Sequence, residues 1–243
     1  MLGMRTDVNS QLKHRVPAWV RSGIVAILLS ASVAGCAYNS LGPIDEHYEK
    51  FKARMPEYDS VFVCSAYGCR TQTRFHFTEA HIATLENMMS ASHTATPADE
   101  RQAVRTTLAW IEHRVGDAVG TSADRPADDM AGNGDPTQMD CVDVATNITS
   151  YLLILERHKL LRHHTVGSVF AKEDLRRGMS GWLHFAAILV ENKTGQRYAV
   201  DGWLLANGKP PEIIETEKWY IDDSSILFSN AAPTTTGSTP QRN

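Results

Sequence analysis

"CVDVATNITSYLLILERHKL", residues 141–160, decides the fold. Cys141, Ala145, Ile148, Leu152 and Leu155 recur at i, i+4, i+7, i+11 and i+14, so the stretch predicts a helix with one buried stripe facing a sheet. Asp140 stands where an N-cap belongs. Before it runs "TSADRPADDMAGNGDPTQM", residues 121–139, a Gly/Pro/Asp-rich segment that reads as an irregular, solvated loop beside a site. Its acidic residues do not have the spacing of an EF-hand loop. Cys141 therefore sits where a loop becomes a helix. The unpaired N–H groups and the dipole there favour a thiolate, and the same N–H groups can receive a developing oxyanion.

Downstream of this helix, "HTVGSVFA" (164–171), "GWLHFAAILV" (181–190) and "GQRYAVDGWLL" (195–205) have strand character. "PEIIETEKWYI" (211–221) reads either as a short helix or as an edge segment. Upstream, "IDEHYEKFKARM" predicts a short helix, while "SVFVC" and "RTQTRFHF" predict a hairpin. Thr78 and Thr96 are N-cap candidates for two further helices. The second has Pro97 at its first position and an apolar stripe of Val104, Leu108, Ile111 and Val115. The pattern is α+β, with helices packed on one face of a mostly antiparallel sheet.

The N-terminus predicts export. Arg5, Lys13, Arg15 and Arg21 precede "IVAILLSASVAGC", whose apolar part is about a dozen residues, too short to cross a bilayer. Val33-Ala34-Gly35-Cys36 resembles the lipobox of bacterial lipoproteins. That resemblance implies a signal peptide over 1–35, lipidation of Cys36 and a membrane anchor. Ala37 is not aspartate, which by the same resemblance points to the outer membrane, facing the periplasm. One α+β domain is expected over 36–229, and a disordered, low-complexity tail over 230–243. The net charge of −4 and the lack of a basic stripe give nucleic-acid binding no support.

Three cysteines remain after Cys36. Cys64 and Cys69 flank a Gly-containing turn, and in an oxidising compartment they predict a small-loop disulfide. The alternatives are two thiols or a metal pair, although CxxxxC is not a usual zinc spacing. Cys141 is then the odd thiol, reactive or buried and inert. His158, His163 and His164 lie in a polar connection and read as solvated surface. His184 differs, because it interrupts the apolar run "GWLHFAAILV", where an ionisable group needs a partner. If the "ENKTGQ" turn sets even positions of one strand against odd positions of the next, His184 and Asp201 share a face. A carboxylate there can orient an imidazole, and an imidazole can serve a thiol.

Helix-start Cys141, strand His184 and next-strand Asp201 follow the order of transglutaminase-like folds. "DCVDVATNITSYLLILE", "HFAAIL" and "YAVDGW" resemble the corresponding segments of bacterial transglutaminase-like cysteine peptidases, over about residues 135–205. The resemblance implies a transglutaminase-like core with Cys141 as nucleophile, His184 as general acid/base and Asp201 as its orienter. The substrate would be a peptide or protein of the cell envelope, and no cofactor is implied. Asp143 matches one calcium-ligand position of some relatives, without a full ligand set. Gln138 is a weak oxyanion candidate, and Trp182 and Trp203 are candidate pocket walls. The competing reading is a catalytically inactive module of the same fold that binds peptide or peptidoglycan.

Overall fold

The structure is a computed structural model and describes residues 42–127, 130–173 and 183–221. Residues 1–35, Cys36, Trp182 and the 230–243 tail lie outside the described residues. The elements in chain order are α1 (Asp45–Phe51), β1 (Ser60–Ser65), β2 (Thr71–His76), α2 (Glu79–Met88), α3 (Pro97–Val119), a 3-10 turn (Met130–Gly132) and α4 (Cys141–Arg157). They are followed by β3 (His164–Glu173), β4 (Leu183–Glu191), β5 (Arg197–Asp201), β6 (Glu212–Glu215) and α5 (Thr216–Ile221). The fold is α+β. β1 and β2 pair as a hairpin, and β3-β4-β5-β6 form a four-stranded sheet, antiparallel throughout.

α4 is central to the described residues. Val142 to Leu155 are all buried, so the helix is enclosed rather than striped. One side packs Ile148 and Leu152 with Ala187, Leu189 and Val200 of the sheet. The opposite side carries Thr146, Asn147, Thr149 and Ser150, which a sequence pattern assigns to water. β1 and α1 cover them instead, and each polar group is matched. The Asn147 amide accepts from the Cys64 N–H at 2.7 Å and donates to the Cys64 carbonyl at 2.9 Å, as a neighbouring strand would. Thr146 and Thr149 return their hydroxyls to the carbonyls four residues earlier. His47 bonds Thr146 Oγ1 and Tyr48 bonds Ser150 Oγ, both at 2.8 Å. Burial without such partners would cost about 1–3 kcal/mol per group.

Helices cover both faces of the four-stranded sheet, not one. β4 is buried on both sides because it is apolar at successive positions. Ala187 and Leu189 meet α4, while Ala186 and Ile188, with Ala199, meet Trp219 of α5. "PEIIETEKWYI" resolves into strand β6 followed directly by helix α5. Gly167 precedes a bulge in the β3–β4 ladder, and a Cβ there would come within 2.8 Å of Ile188 Cγ2.

α3 begins as its sequence predicts, with Thr96 and Asp99 in a reciprocal capping box and Pro97 in the first turn. Thr78 caps α2 in the same manner, with His81 as its reciprocal partner. Glu100, fully buried, then ties α3 to the start of β3. It accepts the N–H groups of Arg162, His163 and His164, and its Oε1 lies 2.9 Å from His164 Nδ1. His164 is thus a buried partner and not a solvated residue. Its carboxylate neighbour lies 64 residues earlier, beyond the reach of any local pattern.

Candidate active site

The N-terminus of α4 is built by two aspartates. Asp140 caps the helix through Oδ1, which accepts the Asp143 N–H at 2.9 Å; Asp143 Oδ2 answers by accepting the Asp140 N–H. The remaining capacity of both carboxylates faces the turn that follows β1. Ala66, Tyr67, Gly68 and Cys69 all have positive φ, a run of four left-handed residues of which only one is glycine. Each non-glycine there costs roughly 1–2 kcal/mol, so the run persists only where contacts over-determine it.

Those contacts are on hand. The Tyr67 and Cys69 N–H groups donate to Asp143 at 2.8 and 2.6 Å, the Gly68 N–H donates to Asp140 at 3.0 Å, and the Ala66 N–H donates to the Gln138 carbonyl. The Cys64–Cys69 disulfide closes the turn, with Cα atoms 4.5 Å apart. Burial and the charge of Asp140 push Asp143 up to about 7, against the pull of its three N–H donors. Cys64, Cys69 and Asp143 do gather two sulfurs and a carboxylate within 4.8 Å. The sulfurs are bonded to each other and the carboxylate is filled by N–H donors, so the group is a structural knot.

The described residues of the 121–139 loop are pinned at several points, while Ser122, Arg125, Pro126, Asn133 and Gly134 stay exposed as the composition predicts. Asp124 accepts the Met139 N–H at 2.7 Å, and burial pushes its carboxyl up to about 7. The Gln138 side chain is buried and turned onto the loop. Its amide donates to the Ala123 and Thr137 carbonyls and accepts from the Arg125 N–H, which removes it as an oxyanion donor. The Ala127 N–H donates to the Trp203 carbonyl at 2.9 Å. One loop therefore joins the start of α4 to the end of β5.

β4 and β5 pair with Ala187 opposite Val200, so even positions face odd ones, and His184 lies diagonally across from Asp201. The two side chains meet. Nε2 of His184 is 2.6 Å from Asp201 Oδ2, and both residues are buried. The indole N–H of Trp219 donates to the same oxygen at 2.9 Å, and the Trp203 backbone N–H donates to Oδ1 at 3.2 Å. Burial pushes the Asp201 carboxyl up, but the His184 charge and these donors outweigh it and hold it below its ordinary value. The His184 ring lies between Trp203 and Trp219, with centroids at 4.7 and 5.4 Å.

His184 and Asp201 project from the α5 side of the sheet, with Ala186, Ile188 and Ala199, and α4 packs on the other. Cys141 reaches the sheet at its end instead. Its half-buried Sγ donates to the Leu183 carbonyl at 3.6 Å, on the residue just before His184. An Nε2–H committed to Asp201 leaves Nδ1 with its lone pair. That nitrogen is buried, with no hydrogen-bond partner among the described residues. The structure thus joins His184 to Asp201 directly and brings Cys141 to the backbone that carries His184. Trp219 escaped sequence reasoning. An aromatic in a segment of mixed polar and apolar residues gives no local signal of a polar partner. No protein-family model, curated protein or solved structure matches this chain.

Proposed function

We propose that the protein is a thiol acyl-transfer enzyme or hydrolase of the transglutaminase-like class, acting on peptide or amide substrates. Cys141 is the nucleophile, His184 the general acid/base and Asp201 its orienter. The observation that carries this reading is the buried His184 ring. One nitrogen is held by a carboxylate below its ordinary pKa, and the other has no partner among the described residues, at the strand end where the Cys141 sulfur arrives. A buried nitrogen of this kind is costly unless a reacting group uses it.

In the reaction, Nδ1 takes the thiol proton and the thiolate adds to the acyl carbon. The oxyanion faces the first N–H groups of α4, at the positive end of the helix dipole. The imidazolium then protonates the leaving amine, and a thioester remains on Cys141. Water or a second amine, deprotonated by His184, releases the acyl group. The lipobox resemblance supports an anchor on Cys36 that would hold this chemistry at the periplasmic side of the outer membrane.

The test is alkylation of Cys141 by iodoacetamide at about pH 6, where an ordinary thiol with a pKa of about 8.5 is almost wholly protonated. Fast alkylation that drops at least roughly tenfold in His184→Ala supports a thiolate–imidazolium pair. Slow alkylation in both proteins refutes the enzyme reading and leaves the peptide- or peptidoglycan-binding module.

A further inference from the structure

The carboxylate of Asp201 has a partner that the proposed chemistry leaves unassigned. Trp219 belongs to α5, 18 residues beyond Asp201, and is almost fully buried, at 3% exposure. Its Nε1–H donates to the one oxygen that His184 also contacts. Its ring lies against the His184 ring at an interplanar angle of 37°. Lys172, itself buried, also holds Trp219. Its Nζ donates to the Trp219 carbonyl at 3.1 Å and lies 4.6 Å from the centre of the indole ring. Lys172 is also the residue paired with His184 in the β3–β4 ladder. The four residues form a closed arrangement. β3 places the ammonium on α5, α5 aims the indole at β5, and β5 presents the carboxylate to β4.

A carboxylate oxygen shared by two donors is fixed in direction, and its negative charge is divided between them. We infer that Trp219 is a positioning residue for the His184–Asp201 pair, acting through its indole N–H on Asp201 Oδ2, with Lys172 holding it in place. The inference rests on the reading of Cys141, His184 and Asp201 as a working triad. Charged or ionisable groups come to His184 from three elements: Asp201 of β5 bonds its ring, Lys172 of β3 is its ladder partner, and Cys141 of α4 bonds the carbonyl of the preceding Leu183. The indole tempers the first. Without its N–H, Asp201 would give more of its charge to the imidazole and would be freer to turn about its own bond.

The test is the titration of the His184 imidazole, followed by NMR in a Cys141→Ser background so that no thiolate contributes. Trp219→Phe keeps a ring against His184 and removes the N–H. The expected result is a rise of the His184 pKa by about half a unit or more. In Asp201→Asn the same Trp219→Phe change should produce no further shift, because the indole would then have no carboxylate to act on. An unchanged His184 titration in a folded Trp219→Phe protein overturns the inference, and so does an equal shift with and without Asp201. Should Trp219→Phe fail to fold, Lys172→Met supplies the second arm, read with and without Asp201→Asn: loosening the indole should raise the titration more when Asp201 is present, and an equal rise in both, which the lost ammonium alone would give, overturns the inference. These outcomes are separate from the alkylation of Cys141. An inert thiol with a shifting imidazole refutes the enzyme and keeps the positioning role, whereas a reactive thiol with an immovable imidazole does the reverse.

Discussion

At the scale of single residues, the protein isolates ionisable groups and then gives each a short list of partners. His184 illustrates the economy, with one nitrogen held and the other without a partner among the described residues. Replacing Asp201 by Asn keeps the shape but removes the charge, so the ring can adopt the wrong tautomer. The expected outcome is a loss of roughly 100-fold in Cys141 alkylation rate at about pH 6, with circular dichroism unchanged. Glu100 is the structural counterpart. Its carboxylate serves three backbone N–H groups and His164 in a dry setting. Glu100→Ala leaves those donors buried and unmatched, and should lower the unfolding free energy by about 3–5 kcal/mol in a urea titration.

Among the elements, α4 and its N-terminal turn govern the rest. Asp143 is the keystone of the left-handed turn, so Asp143→Ala should destabilise by about 2–4 kcal/mol by urea unfolding, as three N–H groups lose their acceptor. Asp143→Asn, which keeps one acceptor oxygen, should cost less. Gly167→Ala tests the bulge of β3. The added methyl meets Ile188, and a cost of about 1–3 kcal/mol is expected from the same measurement.

Much of this level was legible in the sequence, because its determinants are local. Asp140 and Asp143 are three residues apart, Thr96 and Asp99 likewise, and a six-residue turn segment sets the parity that puts His184 and Asp201 on one face. What was illegible depends on distant partners. Asn147 reads as a polar helix position and acts as a surrogate strand for Cys64. His164 reads as surface until Glu100 is placed on it. Trp219 reads as one more apolar residue until the sheet turns its N–H toward Asp201. Periodicity reports which side of a helix is apolar; it does not report that a second layer of structure will cover the polar side.

For the whole molecule, two sets of carboxyls make stability depend on pH in opposite senses. Burial raises Glu112 to about 8 and Asp124 to about 7, so the folded state holds protons that the unfolded chain releases near pH 4. Their contribution is present below the unfolded values and is lost as pH rises through 7 to 8. Asp201 is held below its ordinary value, so its contribution is present at neutral pH and lost in acid. The expected outcome is an unfolding temperature that falls between about pH 5 and pH 8, and a shallower fall in Glu112→Gln.

The enclosure of α4 has a kinetic corollary. A helix wrapped on every side from Val142 to Leu155 has no edge from which to fray, so solvent reaches its inner amides only when the surrounding layers come apart. Deuterium uptake by Ile148, Leu152 and Ile154 should therefore be among the slowest in the chain and should report the global unfolding equilibrium. Amides of α5, a six-residue helix at the margin of the sheet, should take up label much sooner.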